Sequence, residues 1–196
     1  LYLAGVPLVI GLVLALPLGW AAKRWAGAYP AIITGTGLLY TIPSLALFVM
    51  MPLLLGTKIL DPVNVLVAMT IYTVALLVRT VADGLRAVPD HVEQAATAMG
   101  YRGLRRLFGV ELPLAFPVIL TGIRIVLVQN IGLATIAALI GGGGFGVFVF
   151  QGIGQTAMDL VLLGTVPTVL LGFAAAITLD ALIDSNLLSA GGRQQA

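Results

Sequence analysis

Long apolar runs, each with at most one charged residue, divide the chain into five candidate membrane spans. A helix needs about 20 apolar residues to cross a hydrocarbon core of about 30 Å. Runs of suitable length lie at Leu1–Ala22, Trp25–Thr57, Pro62–Thr80, Leu114–Ile140 and Leu160–Ile183, the second being most apolar over Ala31–Leu55. The pattern predicts an all-α integral membrane protein of about five transmembrane helices, organised as one domain over residues 1–196.

Composition supports this class and excludes others. The chain is 60% hydrophobic and 9% charged, with a mean hydropathy of +1.10, whereas a soluble domain is about 45–50% apolar and about 25% charged. A soluble enzyme and a disordered chain are therefore excluded. The net charge of +2 gives no reason to expect nucleic acid, and the absence of cysteine removes disulfide and thiolate chemistry.

The basic residues predict the orientation. Apart from Arg124 inside the fourth run, the connections on one side of the spans hold eight Lys and Arg residues and those on the other side hold only Lys58. The eight are Lys23, Arg24, Arg79, Arg86, Arg102, Arg105, Arg106 and Arg193. Because positive loops stay cytoplasmic, we expect a multi-pass protein of the cytoplasmic membrane with its C-terminus inside.

A polar segment at about residues 82–113 separates the third and fourth spans. Asp90 is suited to N-cap a helix, with Glu93 as its capping-box partner. Gly100 interrupts this helix, and a basic second helix is expected over Tyr101–Phe108. The residues expected on one face of the first helix are Val92, Ala95, Ala96 and Met99. The segment therefore predicts a cytoplasmic helix–turn–helix.

Two interpretations of this helix–turn–helix compete. It could be a basic amphipathic hairpin resting on anionic lipid, or a docking element for a cytoplasmic protein. The small side chains of Ala95 and Ala96 favour docking, because a lipid-bound face prefers larger residues.

The spacing in this segment resembles the EAA loop of ABC-importer permeases, in which Glu-Ala-Ala, three residues and Gly precede nine residues and Ile-x-Leu-Pro. Five positions match this pattern, Val110 replaces the Ile conservatively, and Gln94 replaces the Glu, although Glu93 stands immediately before it. The resemblance implies an ATPase-coupling loop that includes Glu93, Gln94, Ala95, Ala96, Gly100, Leu112 and Pro113.

Three further stretches are similar to permeases for the osmoprotectants glycine betaine, choline and carnitine: Thr41–Leu47, Gly122–Arg124 and Gly132–Gly146. The resemblance implies a type I importer in which two permease subunits form the pore. Separate ATPase subunits would bind ATP and Mg²⁺, and an extracytoplasmic binding protein would deliver the substrate. A permease for methionine or another amino acid is the alternative within this family.

The chain lacks the residues that chemistry of its own would need. No GxxxxGK[ST] phosphate loop is present, so we expect a transport subunit that is not an enzyme and binds no cofactor. Gly141, Gly143 and Gly146 match GxGxxG only formally, because they follow a membrane helix rather than a strand. His91, without cysteine or a carboxylate cluster, does not predict a metal site.

Polar residues within the spans are candidates for a substrate pathway: Tyr40, Thr41, Ser44, Arg124 and Asn130. Thr34, Thr41 and Ser44 are expected on one face of the second span, although such residues equally serve as hydrogen-bonding contacts between helices. Arg124 follows Pro113 by eleven residues, or roughly 16 Å of helix, which predicts a position near mid-membrane. Because a charge there is costly, Arg124 should face water or the bundle interior, or pair with an acid.

An importer of a different class remains open at this point. A channel or a secondary transporter that needs no ATPase would be favoured by acids deep in the spans. Asp159, Asp180 and Asp184 are instead expected near the span ends.

Overall fold

A computed structural model describes residues 1–25 and 27–192. Arg193, which supported an inward C-terminus, lies outside the described residues. Within them there is no strand, and the helices are α1 (Tyr2–Arg24), α2 (Ala28–Thr41), α3 (Ser44–Leu55), α4 (Pro62–Arg86), α5 (Asp90–Ala98), α6 (Gly103–Arg106), α7 (Leu112–Ala137), α8 (Gly146–Gln155) and α9 (Met158–Gly192). A π-helical turn at Leu107–Glu111 joins α6 to α7, and a 3₁₀ turn at Ala138–Ile140 follows α7.

Among the described residues, four helical segments are long and apolar enough to cross a membrane, or five if α2 and α3 count as one span. The all-α membrane fold with about five spans is therefore confirmed. The second span is not the single helix that the sequence predicts, because α2 and α3 meet at 96°.

The break between α2 and α3 has a local cause. Ile42 and Pro43 are both extended, with ψ of 127° and 128°, because a proline disfavours helical geometry at the residue before it and has no N–H to donate. Ser44 therefore begins a new helix. The sequence predicted one helical face with Thr34, Thr41 and Ser44, and Ser44 does not continue that face.

The core of the bundle is the contact of α1, α4 and α7. Glycines allow the close approach: a Cβ on Gly11 would lie 2.3 Å from Cγ2 of Thr73, and one on Gly19 would lie 2.6 Å from Cγ1 of Val81. These two contacts run in the same chain direction, so α1 and α4 are parallel. α7 is antiparallel to both, since residues later in α7 meet residues earlier in α4.

The polar segment departs from the prediction at its helix ends. α4 continues to Arg86, beyond the predicted end at Thr80, because its last turns bury Val81 and Leu85 against α1 and α7. Pro89, not Asp90, is the N-cap of α5, and no side chain caps that helix end. The fixed φ of proline suits this position, whereas Glu93 is engaged elsewhere and forms no capping box.

The second predicted helix and the predicted apolar face of the first are also only partly correct. α6 spans Gly103–Arg106 and continues through the π turn into α7 rather than ending at Phe108. On α5, Ala96 is buried and Val92 is partly buried, whereas Ala95 and Met99 are exposed.

Candidate coupling surface and transport pathway

The turn between α5 and α6 requires glycine at position 100. Gly100 has φ of +86°, a conformation that side chains beyond glycine disfavour. Its N–H donates to the Thr97 carbonyl, and the Tyr101 N–H donates to the Ala96 carbonyl, both at 3.0 Å. These two bonds form a Schellman motif, which satisfies the last carbonyls of α5 and directs the chain into α6.

The predicted coupling residues divide into two sets by exposure. Outward-facing members are Gln94, Ala95, Gly100 and Pro113, and inward-facing members are Glu93, Ala96 and Leu112. Sequence reasoning did not single out Leu104 and Phe108, which are 58% and 62% exposed. Their four-residue spacing could have indicated a second apolar surface beside α5.

Glu93 faces inward because it belongs to a closed set of four charges. Lys23 Nζ donates to Glu93 Oε1 and, at 2.9 Å, to Glu111 Oε2. Arg106 Nε donates to Glu111 Oε1 at 2.6 Å, and Arg106 Nη2 lies 3.5 Å from Glu93 Oε2. We call these four residues the charge ring. Sequence spacing does not indicate this ring, since Lys23 and Glu93 are 70 residues apart.

Glu111 is the buried member of the charge ring, with a side chain only 2% exposed. It is the last residue of the π turn. Such a turn inserts one residue into the helical path and frequently marks a functional site. Two cations offset the cost of burying this carboxylate, and the side-chain N and O atoms buried in the described residues all have a partner.

The packing of α1, α4 and α7 gives the level of Arg124 relative to the basic end of the bundle, where Lys23 and Arg106 lie. Gly122 packs against Thr80, and Gly19 packs against Val81, so Arg124 is level with the region of Pro17 in α1. That level is about six residues, or roughly 9 Å, from Lys23. Arg124 is also at the centre of α7, which runs from Leu112 to Ala137, so its position near mid-membrane stays a prediction.

Arg124 pairs with an acid from a neighbouring helix. Its Nη1 lies 3.0 Å from Oδ1 of Asp180 in α9, and both side chains are 41% exposed. The pair borders a cleft of about 660 Å³ between α7 and α9, lined by Val128, Gly132 and Phe173 among others. This arrangement agrees with the expectation that Arg124 meets an acid or water.

The break between α2 and α3 brings Tyr40, Thr41 and Ser44 together. Tyr40 is 44% exposed, and its ring meets Tyr72 edge to face, with 6.0 Å between centroids. Gln129 donates to the Tyr40 hydroxyl at 3.3 Å. Ser44 is half-buried and Thr41 is exposed.

This break lies at about the middle depth of α1. Tyr72 adjoins Thr73, which packs on Gly11, and its hydroxyl donates to the Ile42 carbonyl. Non-helical backbone at such a depth occurs only where it is covered by protein or lines a water-filled cavity. The break is therefore a place where a polar path can pass through the bundle.

Asn130, also a pathway candidate, is only 1% exposed. It donates to the Ala4 carbonyl at 3.2 Å and to the Thr73 hydroxyl at 3.0 Å. These bonds join α1, α4 and α7, which favours a role in helix packing. In the part of the chain that the structure describes, no three acids or histidines are grouped to hold a metal ion.

Comparison with known proteins gives the family. The family described as "Binding-protein-dependent transport system inner membrane component" matches residues 7–185. The glycine betaine/carnitine/choline transport system permease protein OpuCB of Bacillus subtilis (strain 168) is 33% identical, over 87% of this chain and 77% of that protein. The osmoprotectant import permease protein OsmY of Salmonella typhimurium is 36% identical, over 98% of this chain and 73% of that protein.

A solved structure shows the same fold. A chain of the MetNI methionine ABC transporter, described in inward-facing conformations, superimposes with a TM-score of 0.84 over 94% of this chain and 91% of that chain, at 22% identity. Together with four or five apolar spans, these likenesses make the protein a multi-pass inner-membrane permease subunit without a catalytic site of its own. The chain belongs to the family of binding-protein-dependent transport system inner membrane components.

Proposed function

We propose that this chain is the permease subunit of an ATP-driven ABC importer that moves an osmoprotectant inward across the cytoplasmic membrane. The substrate would be glycine betaine, choline, carnitine or a similar quaternary ammonium compound. The observation that carries this proposal is the similarity over most of the chain to permeases named for these substrates. This similarity favours osmoprotectants over methionine or another amino acid.

The proposed partners are two ATPase subunits, an extracytoplasmic binding protein and a second permease subunit, either another copy or a paralogue. ATP and Mg²⁺ would bind to the ATPases. Support for a second permease comes from α2, none of whose residues is fully buried against the described part of the chain, and from α9, in whose most apolar 18 residues only 11% of positions are buried. Such faces are suited to a neighbouring subunit or to lipid.

The proposed coupling surface is the outward side of α5 and α6 with the turn at Gly100. Gln94 and Ala95 are exposed there, and Leu104 and Phe108 add apolar area beside them. ATP-driven closure of the ATPases would push on this surface. Because α6 continues through the π turn into α7, the push would reach a membrane-spanning helix directly and support alternating access. The basic end would then be cytoplasmic, as would the C-terminus.

The proposed substrate pathway passes the break between α2 and α3, beside Tyr40, Thr41 and Ser44, with Arg124 nearer the cytoplasmic end. The exposed Tyr40 ring suits a quaternary ammonium group. The Arg124–Asp180 pair has no net charge, so it would not repel a zwitterion such as glycine betaine.

The test is uptake of labelled glycine betaine at high external salt, in cells that lack their own osmolyte importers. The chain is co-expressed with its ATPase and binding protein, and a parallel strain omits the ATPase. Unlabelled choline, carnitine and methionine serve as competitors. We expect ATPase-dependent uptake that choline or carnitine reduces and methionine does not.

Two results would contradict the proposal in different ways. Uptake that persists without the ATPase would identify a channel or a secondary transporter. ATPase-dependent uptake that only methionine blocks would support an ATP-driven importer and contradict an osmoprotectant as its substrate.

A further inference from the structure

The charge ring closes on itself, which two independent ion pairs would not do. Each carboxylate has two cationic neighbours and each cation has two carboxylate neighbours. The side chains are shielded from solvent, at 13% exposure for Lys23, 19% for Glu93, 28% for Arg106 and 2% for Glu111. The four formal charges sum to zero, so no charge is left uncompensated in this partly buried place.

The charge ring joins the end of α1 to two later segments, α5 and the start of α7. Lys23 lies in the last turn of α1, Glu93 in the middle of α5, Arg106 at the end of α6, and Glu111 at the end of the π turn before α7. α5 otherwise buries little: Val92 packs partly against the core and Ala96 is buried. Glu93 is thus the main polar attachment of α5 to α1.

We propose that the charge ring fixes α5 to α1 and to the start of α7, so that the three segments move together when α5 is displaced. Glu93 is then a positioning residue, not a contact for the ATPase. This inference rests on the proposed function for its role in transport. The link between α5 and α1 is a property of the chain alone and can be measured without any partner.

Neutralising one residue and neutralising a pair separate this role from stability. Glu93→Gln leaves two cations facing one buried carboxylate, an unbalanced arrangement that is destabilising. Lys23→Gln combined with Glu93→Gln restores the balance and leaves the 2.6 Å pair of Arg106 with Glu111. The double variant should recover thermal stability relative to Glu93→Gln, yet α5 should still be detached from α1.

The link itself can be measured by spin labelling, because the chain has no cysteine. Labels on Leu18→Cys in α1 and Ala98→Cys in α5 occupy exposed positions and report the distance between the two helices. We expect a narrow distance distribution in the otherwise unaltered chain. It should broaden in Glu93→Gln and stay broad in the double variant.

Asp90→Asn is the matched control, since it also removes one negative charge from α5 at an exposed position outside the charge ring. It should leave the distribution narrow. An unchanged distribution in both the single and the double variant would overturn the link. So would a distribution that narrows again in the double variant, because the ring would then act only through charge balance.

The role in transport is tested in proteoliposomes with the ATPase and the binding protein. Both ring variants should transport less substrate per ATP hydrolysed than the unaltered chain, while the ATPase still co-purifies. Loss of ATPase binding in Glu93→Gln would make Glu93 a docking contact and overturn the positioning role, as would an unchanged ratio. If the unaltered chain shows no ATPase-dependent uptake, the proposed function fails, and the label distances still decide the link.

Discussion

The close contact between Gly122 and Thr80 offers a direct test of how α7 packs on α4, which sets the relative depth of the polar residues. A Cβ on Gly122 of α7 would lie 2.2 Å from Cγ2 of Thr80 in α4, and 2.9 Å from its Cβ and Oγ1. Gly122→Ala therefore forces α7 away from α4. Gly132 lies in the same helix, and a Cβ there would meet nothing within 4 Å, so Gly132→Ala is the matched control.

The difference between these two variants isolates the steric cost. Both replace a helical glycine with alanine, which favours the helix by about 1 kcal/mol. Only Gly122→Ala adds overpacking, which costs about 1–3 kcal/mol. The free energy of unfolding of Gly122→Ala should thus be about 1–3 kcal/mol below that of Gly132→Ala, since the helix term cancels.

Thermal unfolding in detergent, followed by tryptophan fluorescence, measures this difference. For a chain of this size about 1 kcal/mol corresponds to 2–4 °C in Tm. Adding Thr80→Ala to Gly122→Ala removes Cγ2 and Oγ1, two of the three atoms that clash, and should recover part of the loss. Equal Tm values for Gly122→Ala and Gly132→Ala, or no recovery with Thr80→Ala, would refute the α4–α7 contact.

Three further outcomes are expected. At Gly100, whose φ is +86°, Asn should preserve ATPase-dependent uptake better than Val, and Gly100→Asp should insert into the membrane yet lose uptake; uptake assays with membrane quantification measure both. Arg124→Gln should lower Tm by leaving Asp180 unpaired, and adding Asp180→Asn should recover it, because the 3.0 Å pair loses both charges together. Asn130→Ala should cost about 0.6–1.7 kcal/mol for its bonds to α1 and α4, measured as Tm, with the substrate concentration for half-maximal uptake unchanged.

The apolar runs predict the spans well because membrane length and hydropathy act locally along the chain. They miss the break at Ile42–Pro43, although proline geometry suggests it, because the run is uncharged from Trp25 to Thr57. The thickness of the hydrocarbon core determines how long a span must be. Whether a break can be accommodated at that depth depends on neighbouring groups, here the Tyr72 hydroxyl that donates to the Ile42 carbonyl.

The spacing of the polar segment predicts its turn, since Gly100 is set by local backbone geometry. Local spacing does not predict the partners of Glu93. Lys23 is 70 residues away, and it also donates to Glu111, the last residue of the π turn before α7. Interactions of this kind depend on which helices adjoin, and that information is spread over the whole chain.

Glu93 and Gln94 show why one residue of register matters. Adjacent residues of a helix point about 100° apart, so an acid at position 93 cannot face the same neighbour as one at position 94. Glu93 is directed toward Lys23 and Arg106, while Gln94 is exposed. The acid of the EAA pattern is therefore absent at position 94, and the adjacent Glu93 points into the charge ring instead. A partner ATPase would meet a neutral amide and small side chains there, and α5 would hold its place through its inward carboxylate.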